Sequence, residues 1–201
     1  MQQIDLINRR NLLGFIGALA YPLNAYAQTD LEKLILAARV QTKNWVTYDP
    51  NYTKIPYPMG DVDKKYGVCT DVIIRAYRSI GIDLQKLVHE DMAANFSKYP
   101  KTWGLKSTDT NIDHRRVPNL MVYFSRFGQK LNISDNPQDY RAGDIVTCLI
   151  GNRLPHIMLV SDKMSLFDNK RPLVIHNRGL GVQENDELFS FKLNGHYRFK
   201  V

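Results

Sequence analysis

Cysteine is scarce in this chain of 201 residues, which contains only Cys69 and Cys148. A framework of several disulfides is therefore excluded, and at most one bridge could form. In an oxidising compartment the two thiols could pair as a structural disulfide. Cys148, however, lies in a mostly apolar segment (residues 145–150), where a free cysteine packs as a small hydrophobic residue. We therefore expect free thiols, with the disulfide as the alternative.

After residue 27 the chain also lacks any apolar run long enough to cross a bilayer, and it lacks Gly/Ser linkers, repeats and low-complexity segments. Residues 28–201 are therefore expected to form a single domain with its own core and no stable membrane insertion. No pair of histidines or carboxylates has a recognisable ligand spacing, so no metal or other cofactor is expected.

Basic residues are in excess, with a formal net charge of +7, but they form no dense run and no nucleic-acid-binding motif. Nucleic acid is therefore not an expected partner. A mildly basic exported protein would instead be attracted to polyanions such as the carboxylate-rich envelope of a bacterium. The alternative is a solvated basic surface without a partner.

The first 27 residues have the features of a signal peptide. Arg9 and Arg10 precede an apolar stretch that is too short to span a membrane as a mature anchor, and Ala25-Tyr26-Ala27 places small residues at a cleavage site. We expect removal of residues 1–27 and a periplasmic or secreted protein. An uncleaved anchoring helix is the alternative, and the paired arginines leave open whether export is of the general or the twin-arginine type.

Cys69 stands where a loop gives way to a helical pattern. Gly67 ends the loop, and the apolar residues that follow Cys69 recur at helical spacing. The partial positive charge of a helix N-terminus favours thiolate over thiol, so this position predicts a lowered pKa for Cys69. Far downstream, His156 opens a predicted strand. A thiol at a helix start and an imidazole at a strand start could form a catalytic pair through the fold, although two such residues alone are more often structural.

The order of the predicted elements indicates an α+β fold. A helix capped by Asp30, the Cys69 helix ending at Gly81, a helix capped by Asp83 and a helix with Pro118 in its first turn come first. Short strands near 144–150, 156–161, 172–177 and 196–200 follow. Helices followed by strands are typical of an antiparallel sheet with helices on one side.

Several motifs resemble the NlpC/P60-type papain-like cysteine peptidases: the stretch around Cys69, Tyr140-Arg141-Ala142-Gly143-Asp144, the strand that opens with His156, and Val174-Ile175-His176-Asn177. Other stretches resemble DUF1287, a bacterial family that we place within that superfamily: residues 89–92, 103–105 and 111–120, and the ending Gly195-His196-Tyr197-Arg198. Val68 and Thr70-Asp71 depart from the commonest residues around the peptidase cysteine.

This resemblance implies a papain-like core, with N-terminal helices packed on a C-terminal antiparallel β-sheet. It also implies a Cys-His-His triad, in which Cys69 is the nucleophile and His156 is the general base toward the thiol and then the acid toward the leaving amine. His176 would orient His156. Asn177 is the alternative, because alternation along a strand lets only one of two neighbours face the site.

A polar loop supplies the expected substrate-binding residues Asp113, His114, Arg115 and Arg116. The planar guanidinium of arginine suits carboxylates, which peptidoglycan stem peptides carry. The alternative is a solvated loop that caps the following helix.

The expected function is an exported cysteine hydrolase that cuts an amide bond in peptidoglycan stem peptides, as endopeptidase or amidase. Peptidoglycan or its muropeptides are the expected partners. Three alternatives remain open: a non-catalytic envelope-binding module, an acyltransferase or lipid hydrolase of the same superfamily, and an antibacterial toxin with an immunity partner.

Overall fold

A computed structural model describes residues 27–201. Its four α-helices are α1 (Asp30–Val40), α2 (Cys69–Arg78), α3 (Leu84–Ala94) and α4 (Val117–Phe127). The predicted signal peptide lies outside the described residues, except for its last residue. Within residues 27–201, no helix combines the length and apolarity that a bilayer-crossing segment needs.

Local sequence signals explain where the helices begin and end. Thr29, not the predicted Asp30, caps α1. The Thr29 side chain accepts a hydrogen bond from the Glu32 N–H, and the Glu32 carboxylate accepts one from the Thr29 N–H. Asp83 caps α3 as predicted. Helix α4 has proline in its first turn and ends at Gly128, also as predicted.

The strands form two sheets. A small parallel pair joins β1 (Thr47–Tyr48) to β2 (Tyr66–Gly67). The main sheet contains β3 (Gln129–Lys130), β4 (Ile145–Ile150), β5 (Leu154–Met164), β6 (Pro172–Asn177), β7 (Val182–Asn185) and β8 (Lys192–Arg198). Its strand order is β3-β8-β4-β5-β6-β7, and every pairing is antiparallel. The predicted α+β class is confirmed.

Alternation along β5 separates two hydrophobic clusters. Ile157 and Leu159 pack with the helices, in the cluster that also contains Cys69. Met158 and Val160 project to the opposite face of the sheet and pack in a second, smaller cluster. The helix that begins with Cys69 therefore lies on the Ile157 side of the sheet.

A buried ion network joins two of the motifs identified in the sequence. The Asp144 carboxylate accepts hydrogen bonds from Arg198 at 2.7 and 2.8 Å and lies 2.9 Å from Nε2 of His196. Burial alone would raise the pKa of Asp144, but its bonds to His196 and Arg198 lower it overall. Gly143 has φ +86°, a left-handed conformation that favours glycine. These motif residues fasten β8 to the start of β4, which is a structural role.

Candidate active site

The cysteine is the first residue of α2, and Asp71 holds this helix start in place. Oδ2 of Asp71 accepts the Val68 N–H at 2.7 Å. The guanidinium of Arg115 donates to both oxygens of Asp71 at 2.9 Å, and all three groups are buried. Asp71 thus caps the helix start that carries Cys69, and the ion pair with Arg115 holds Asp71 in place.

Cys69 lies in the wall of an open cleft of about 390 Å³. Tyr48 from β1, Trp103 and Arg116 from the polar loops, and Pro155 from β5 line the same cleft. Cys69 is only 3% exposed, so just one edge of the residue reaches the cleft. Within residues 27–201, neither Cys69 nor Cys148 forms a disulfide.

Burial, and not the helix N-terminus, dominates the acidity of this thiol. Desolvation raises the pKa of Cys69 to about 11, while hydrogen bonding by the backbone of Ile157 and Thr70 and by the Tyr48 hydroxyl opposes the increase. The lowered pKa expected from the sequence is therefore wrong for the free protein, because that argument omitted the loss of solvent around Cys69. At neutral pH the group is a thiol, and it needs a base to become a nucleophile.

His156 and His176 form a directly bonded pair, with Nε2 of His156 2.7 Å from Nδ1 of His176. The other nitrogen of His176, Nε2, lies 2.9 Å from Oδ1 of Asn185. Burial lowers the pKa of His156 to about 3 and also lowers that of His176, so both rings are neutral at pH 7.

This chain of bonds assigns the tautomers. The amide oxygen of Asn185 can only accept, so Nε2 of His176 carries the proton and its Nδ1 is an acceptor. Nε2 of His156 must then donate, which leaves Nδ1 of His156 unprotonated. Among residues 27–201, that nitrogen has no hydrogen-bond partner. His156 is thus held in the tautomer that a general base requires.

The thiol and this imidazole are not hydrogen-bonded, and strand alternation sets them on opposite faces of the main sheet. The residues on either side of His156 both reach the thiol site, since Pro155 lines the cleft and the Ile157 backbone hydrogen-bonds the sulfur. His156 is two residues from Met158 on β5, so the two side chains project from the same face of the sheet. This is the face of the second, smaller cluster. No hydrogen bond between Cys69 and His156 occurs within residues 27–201.

Asn177 and His176 are consecutive residues of β6, so their side chains project from opposite faces of the sheet. They therefore contact different residues. Nδ2 of Asn177 donates to the Gly67 carbonyl at 3.4 Å, on the cysteine side of the sheet. His176 contacts His156 on the other side. The geometry thus places His176, and not Asn177, next to His156.

The four predicted substrate-binding residues separate into two groups. Arg115 lines the cleft, but its guanidinium is committed to Asp71, and only 3% of its side chain is exposed. Asp113 is buried and accepts the Asp109 N–H at 2.5 Å, and burial lowers the pKa of the nearby His114 to about 3. Arg116 alone is lightly held: it lies 3.4 Å from Asp113 and stacks over Trp103 at 4.2 Å.

Comparison with known sequences places the chain in a family. Residues 35–199 match the family described as "Domain of unknown function (DUF1287)". The chain belongs to the DUF1287 family. It is similar to the uncharacterized protein YijF of Escherichia coli strain K12, with 54% identity over 164 residues, or 82% of this chain and 79% of the relative. The comparison with solved structures gave no match.

Three residues of the candidate site were not identified from the sequence. Tyr48 lies on the two-residue strand β1 and Trp103 lies in a turn, and both segments are too short for a periodic pattern to indicate the direction of a side chain. Asn185 lies on β7, a strand of four residues that the sequence did not predict, because it is short and mostly polar. Within residues 27–201 of this DUF1287 chain, no group of three His, Cys, Asp or Glu side chains is placed to hold a metal ion.

Proposed function

We propose that this DUF1287 protein is an exported cysteine hydrolase that cleaves an amide bond in peptidoglycan stem peptides, as endopeptidase or amidase, on an NlpC/P60-type papain-like core. One observation carries the chemistry: Nε2 of His156 lies 2.7 Å from His176, which lies 2.9 Å from Asn185, and the backbone of the same strand as His156 hydrogen-bonds the Cys69 sulfur. From this pattern we infer that Nδ1 of His156 is unprotonated. The substrate class and the periplasmic or secreted location rest on the predicted signal peptide and on the resemblance of the motifs.

In the proposed reaction, Nδ1 of His156 takes the thiol proton while the Cys69 sulfur attacks the amide carbon. The backbone N–H of Cys69, at the open start of α2, donates to the developing oxyanion. Collapse breaks the carbon–nitrogen bond, and the imidazolium returns its proton to the leaving amine. Water activated by His156 then hydrolyses the thioester and restores the thiol.

The proposal requires one rearrangement. The imidazole of His156 has to approach the sulfur, because the free protein has no bond between them. Hydrogen bonds of catalytic groups are often long in free enzymes and shorten when substrate binds.

Arg116 is the residue that we propose to bind a substrate carboxylate. It lines the Cys69 cleft, its single carboxylate contact is long, and Trp103 holds its planar group from one side. Arg116→Ala should lower kcat/KM on a stem tetrapeptide about ten- to a hundredfold, since a hydrogen bond to a charged group contributes about 1.5–3 kcal/mol. Arg116→Lys should restore only part of the loss, because an ammonium cannot form the bidentate pair. Equal kcat/KM in all three proteins would remove Arg116 from the site.

Mass analysis of muropeptides tests the function itself. Purified peptidoglycan digested by the wild-type protein should yield new amide-cleavage products, and Cys69→Ala and His156→Ala should yield none. Cys148→Ala is the matched control, because it removes the other buried thiol and should retain the products. If wild-type protein released no product, or if Cys69→Ala remained active, the hydrolase proposal would be wrong.

A non-catalytic envelope-binding module is the second candidate, favoured by the deep burial of Cys69 and its lack of a bond to His156. A module of this kind would sediment with peptidoglycan sacculi but release no muropeptides, and Cys69→Ala would sediment equally well. An acyltransferase of the same chemistry would give a transfer product when a primary amine replaces water as acceptor, which the same mass analysis detects.

A further inference from the structure

The connection between β5 and β6 exposes two large apolar side chains that are adjacent in the chain. Leu166 is 100% exposed and Phe167 is 90% exposed, and Met164, the last residue of β5, is exposed as well. We call residues 164–171 the hairpin tip. Single apolar residues on a surface are common, but two consecutive large ones held fully in water indicate a surface that something else covers.

Hydrogen bonds brace the hairpin tip in this conformation. The Ser165 N–H donates to the Arg171 carbonyl at 2.7 Å, and the Ser165 carbonyl accepts the Asn169 N–H at 3.0 Å. Oγ of Ser165 accepts the Phe167 N–H at 3.2 Å and donates to the Asp186 carboxylate at 2.6 Å. The apolar pair is therefore presented to solvent by a preorganised loop, so its burial by a partner costs little conformational entropy.

The small area of the hairpin tip argues against a second copy of the chain as the partner. Two side chains of this size offer at most about 500 Å² of apolar surface, whereas a stable protein interface buries about 800 Å² on each side. The next exposed large apolar residues along the chain are Leu154 and Leu180, which belong to the opposite end of β5 and to the turn after β6. A lipid interface, in contrast, can bury a narrow apolar projection without a broad complementary surface.

The charges of the hairpin tip suit a layer of lipid phosphates. The carboxylates of this region each have a cationic partner: Asp162, Asp168, Glu184 and Asp186. Lys170 is exposed, and its ammonium has no ion pair within residues 27–201. The free cation next to the apolar pair is therefore a lysine, which anionic headgroups attract. The N–H groups of Lys170 and Arg171 lower the pKa of Asp168, so Asp168 stays charged and limits the tip to the headgroup level.

The hairpin tip and the Cys69 cleft lie at opposite ends of β5. Pro155, in the wall of the cleft, is nine residues before Met164, which is about 30 Å along a strand at about 3.3 Å per residue. The described chain begins nearer the tip: the Leu31 side chain of α1 packs against Gly143, whose N–H donates to the Val160 carbonyl at 2.9 Å. If residues 1–27 direct export as predicted, the end of β5 that carries the tip is the end nearer the membrane.

We propose that the hairpin tip inserts into the interface of a phospholipid bilayer, with Leu166 and Phe167 at the level of the upper acyl chains and Lys170 among the phosphates. The contact is peripheral and reversible, because two side chains bury too little apolar surface for stable anchoring. One consequence rests on the proposed function: the Cys69 cleft would point away from the bilayer, toward the cell wall. Membrane binding itself needs no turnover, so it can be tested apart from hydrolysis.

A tryptophan in the hairpin tip tests the contact directly. Phe167→Trp in a Trp45→Phe/Trp103→Phe background leaves a single tryptophan, at the tip. With vesicles of phosphatidylethanolamine and phosphatidylglycerol, its emission should shift to shorter wavelength and be quenched by lipids brominated on their acyl chains. Leu180→Trp in the same background is the matched control and should show neither effect. This reporter detects insertion of the tip itself, whether or not residues 1–27 are retained.

Three outcomes would overturn the proposal. The first is an unshifted and unquenched tryptophan at the tip. The second is equal quenching in the Leu180→Trp control, which would show adsorption without a preferred surface. The third is a shift in the absence of lipid that increases with protein concentration, because it would mean that a second copy covers the tip.

Cosedimentation with the same vesicles measures the strength of binding, for protein whose processed N-terminus is confirmed by mass spectrometry. Leu166→Ser/Phe167→Ser should weaken binding at least about tenfold. Leu154→Ser/Leu180→Ser removes two exposed leucines from the opposite end and should leave binding unchanged. Lys170→Gln should weaken binding about fivefold on these anionic vesicles and have no effect on phosphatidylcholine vesicles. Equal binding by the wild-type protein and Leu166→Ser/Phe167→Ser, or equal weakening by the two serine pairs, would reject the tip. A protein that binds vesicles but hydrolyses nothing would refute the proposed function alone.

Discussion

At the scale of single residues, the state of the Cys69 thiol depends on two opposing effects of its position. The helix start and the Ile157 backbone favour the anion, whereas burial favours the neutral thiol, and burial is the larger effect. A neutral thiol becomes a nucleophile only when a base accepts its proton. We propose His156 as that base, because its bonds to His176 and Asn185 favour the tautomer with an unprotonated Nδ1. The two residues form a neutral pair at pH 7, and not a thiolate–imidazolium pair.

Iodoacetamide labelling should reveal this neutral pair. In a Cys148→Ala background, Cys69 should react at pH 7 more slowly than in the unfolded chain. Its rate should increase up to a pH of about 11, far above the usual thiol value of about 8.5. Mass spectrometry of the alkylated protein across a pH series measures this. A rate that levels off near neutral pH would mean that the helix start and the imidazole outweigh burial.

The tautomers can be tested without any activity. In ¹⁵N NMR spectra at pH 7, His156 and His176 should both show protonated Nε2 and unprotonated Nδ1. The Asn185→Leu variant removes the nearer acceptor of His176, and a further Glu187→Gln change removes the carboxylate 3.5 Å from the same nitrogen; together they should produce mixed tautomers in both rings, with kcat reduced about tenfold or more. Asn185→Asp keeps an acceptor and should preserve the tautomers. Unchanged spectra in Asn185→Leu/Glu187→Gln would show that another group orients the pair.

At the scale of secondary-structure elements, the start of α2 depends on one buried ion pair. Asp71 closes the helix start and Arg115 neutralises it, with 4% and 3% of their side chains exposed. A hydrogen bond from Thr70 Oγ1 to the Arg115 carbonyl, at 3.1 Å, joins the same two segments. The loop before α4 therefore supports the cysteine helix by folding Arg115 inward, whereas Arg116 lines the cleft.

Arg115→Ala should lower the free energy of unfolding by about 3–5 kcal/mol, because it leaves a buried carboxylate without its partner. The Asp71→Leu/Arg115→Met variant should lose less than Arg115→Ala, since neither charge remains buried. Arg116→Ala, one residue along, should cost no more than about 1 kcal/mol, the range of a partly exposed cation–π contact. Urea unfolding curves provide all three values. Similar losses for Arg115→Ala and Arg116→Ala would contradict the distinction between them.

The elements could be predicted from the sequence to a large extent, whereas the partners of individual side chains could not. Helical spacing and caps located α2, α3 and α4, and alternation located the four longer strands. The pair formed by Arg115 and Asp71 joins residues 44 positions apart, and no local pattern encodes such a contact. No local pattern encodes the contact between Asn185 and His176 either. Nor does one encode the burial of Cys69, which raises a pKa that was expected to be lowered.

At the scale of the whole molecule, buried neutral histidines link the stability of the fold to pH. His114 is a buried residue of the polar loop before α4, and the buried His156 and His176 lie on β5 and β6. Burial lowers the pKa of His114 and His156 to about 3 and also lowers that of His176. In the unfolded chain the same rings take up protons near pH 6.5. Folding therefore excludes protons that the unfolded chain would bind, and acid must favour unfolding.

The free energy of unfolding should accordingly be greatest above pH 6.5 and should fall as the pH decreases from about 6.5 toward 3. Each neutral histidine contributes at most about 1.4 kcal/mol per pH unit, so the three together give up to about 4 kcal/mol per unit below the unfolded pKa. Replacing His114 by leucine, which cannot take up a proton, should reduce the slope between pH 6 and 5. Urea unfolding across this range measures the slope. The range from pH 6 to 5 lies above most of the range in which carboxylates titrate, so carboxylates contribute little to this slope. A free energy that is constant between pH 7 and 5, or an unchanged slope in His114→Leu, would show that these rings are protonated in the folded protein.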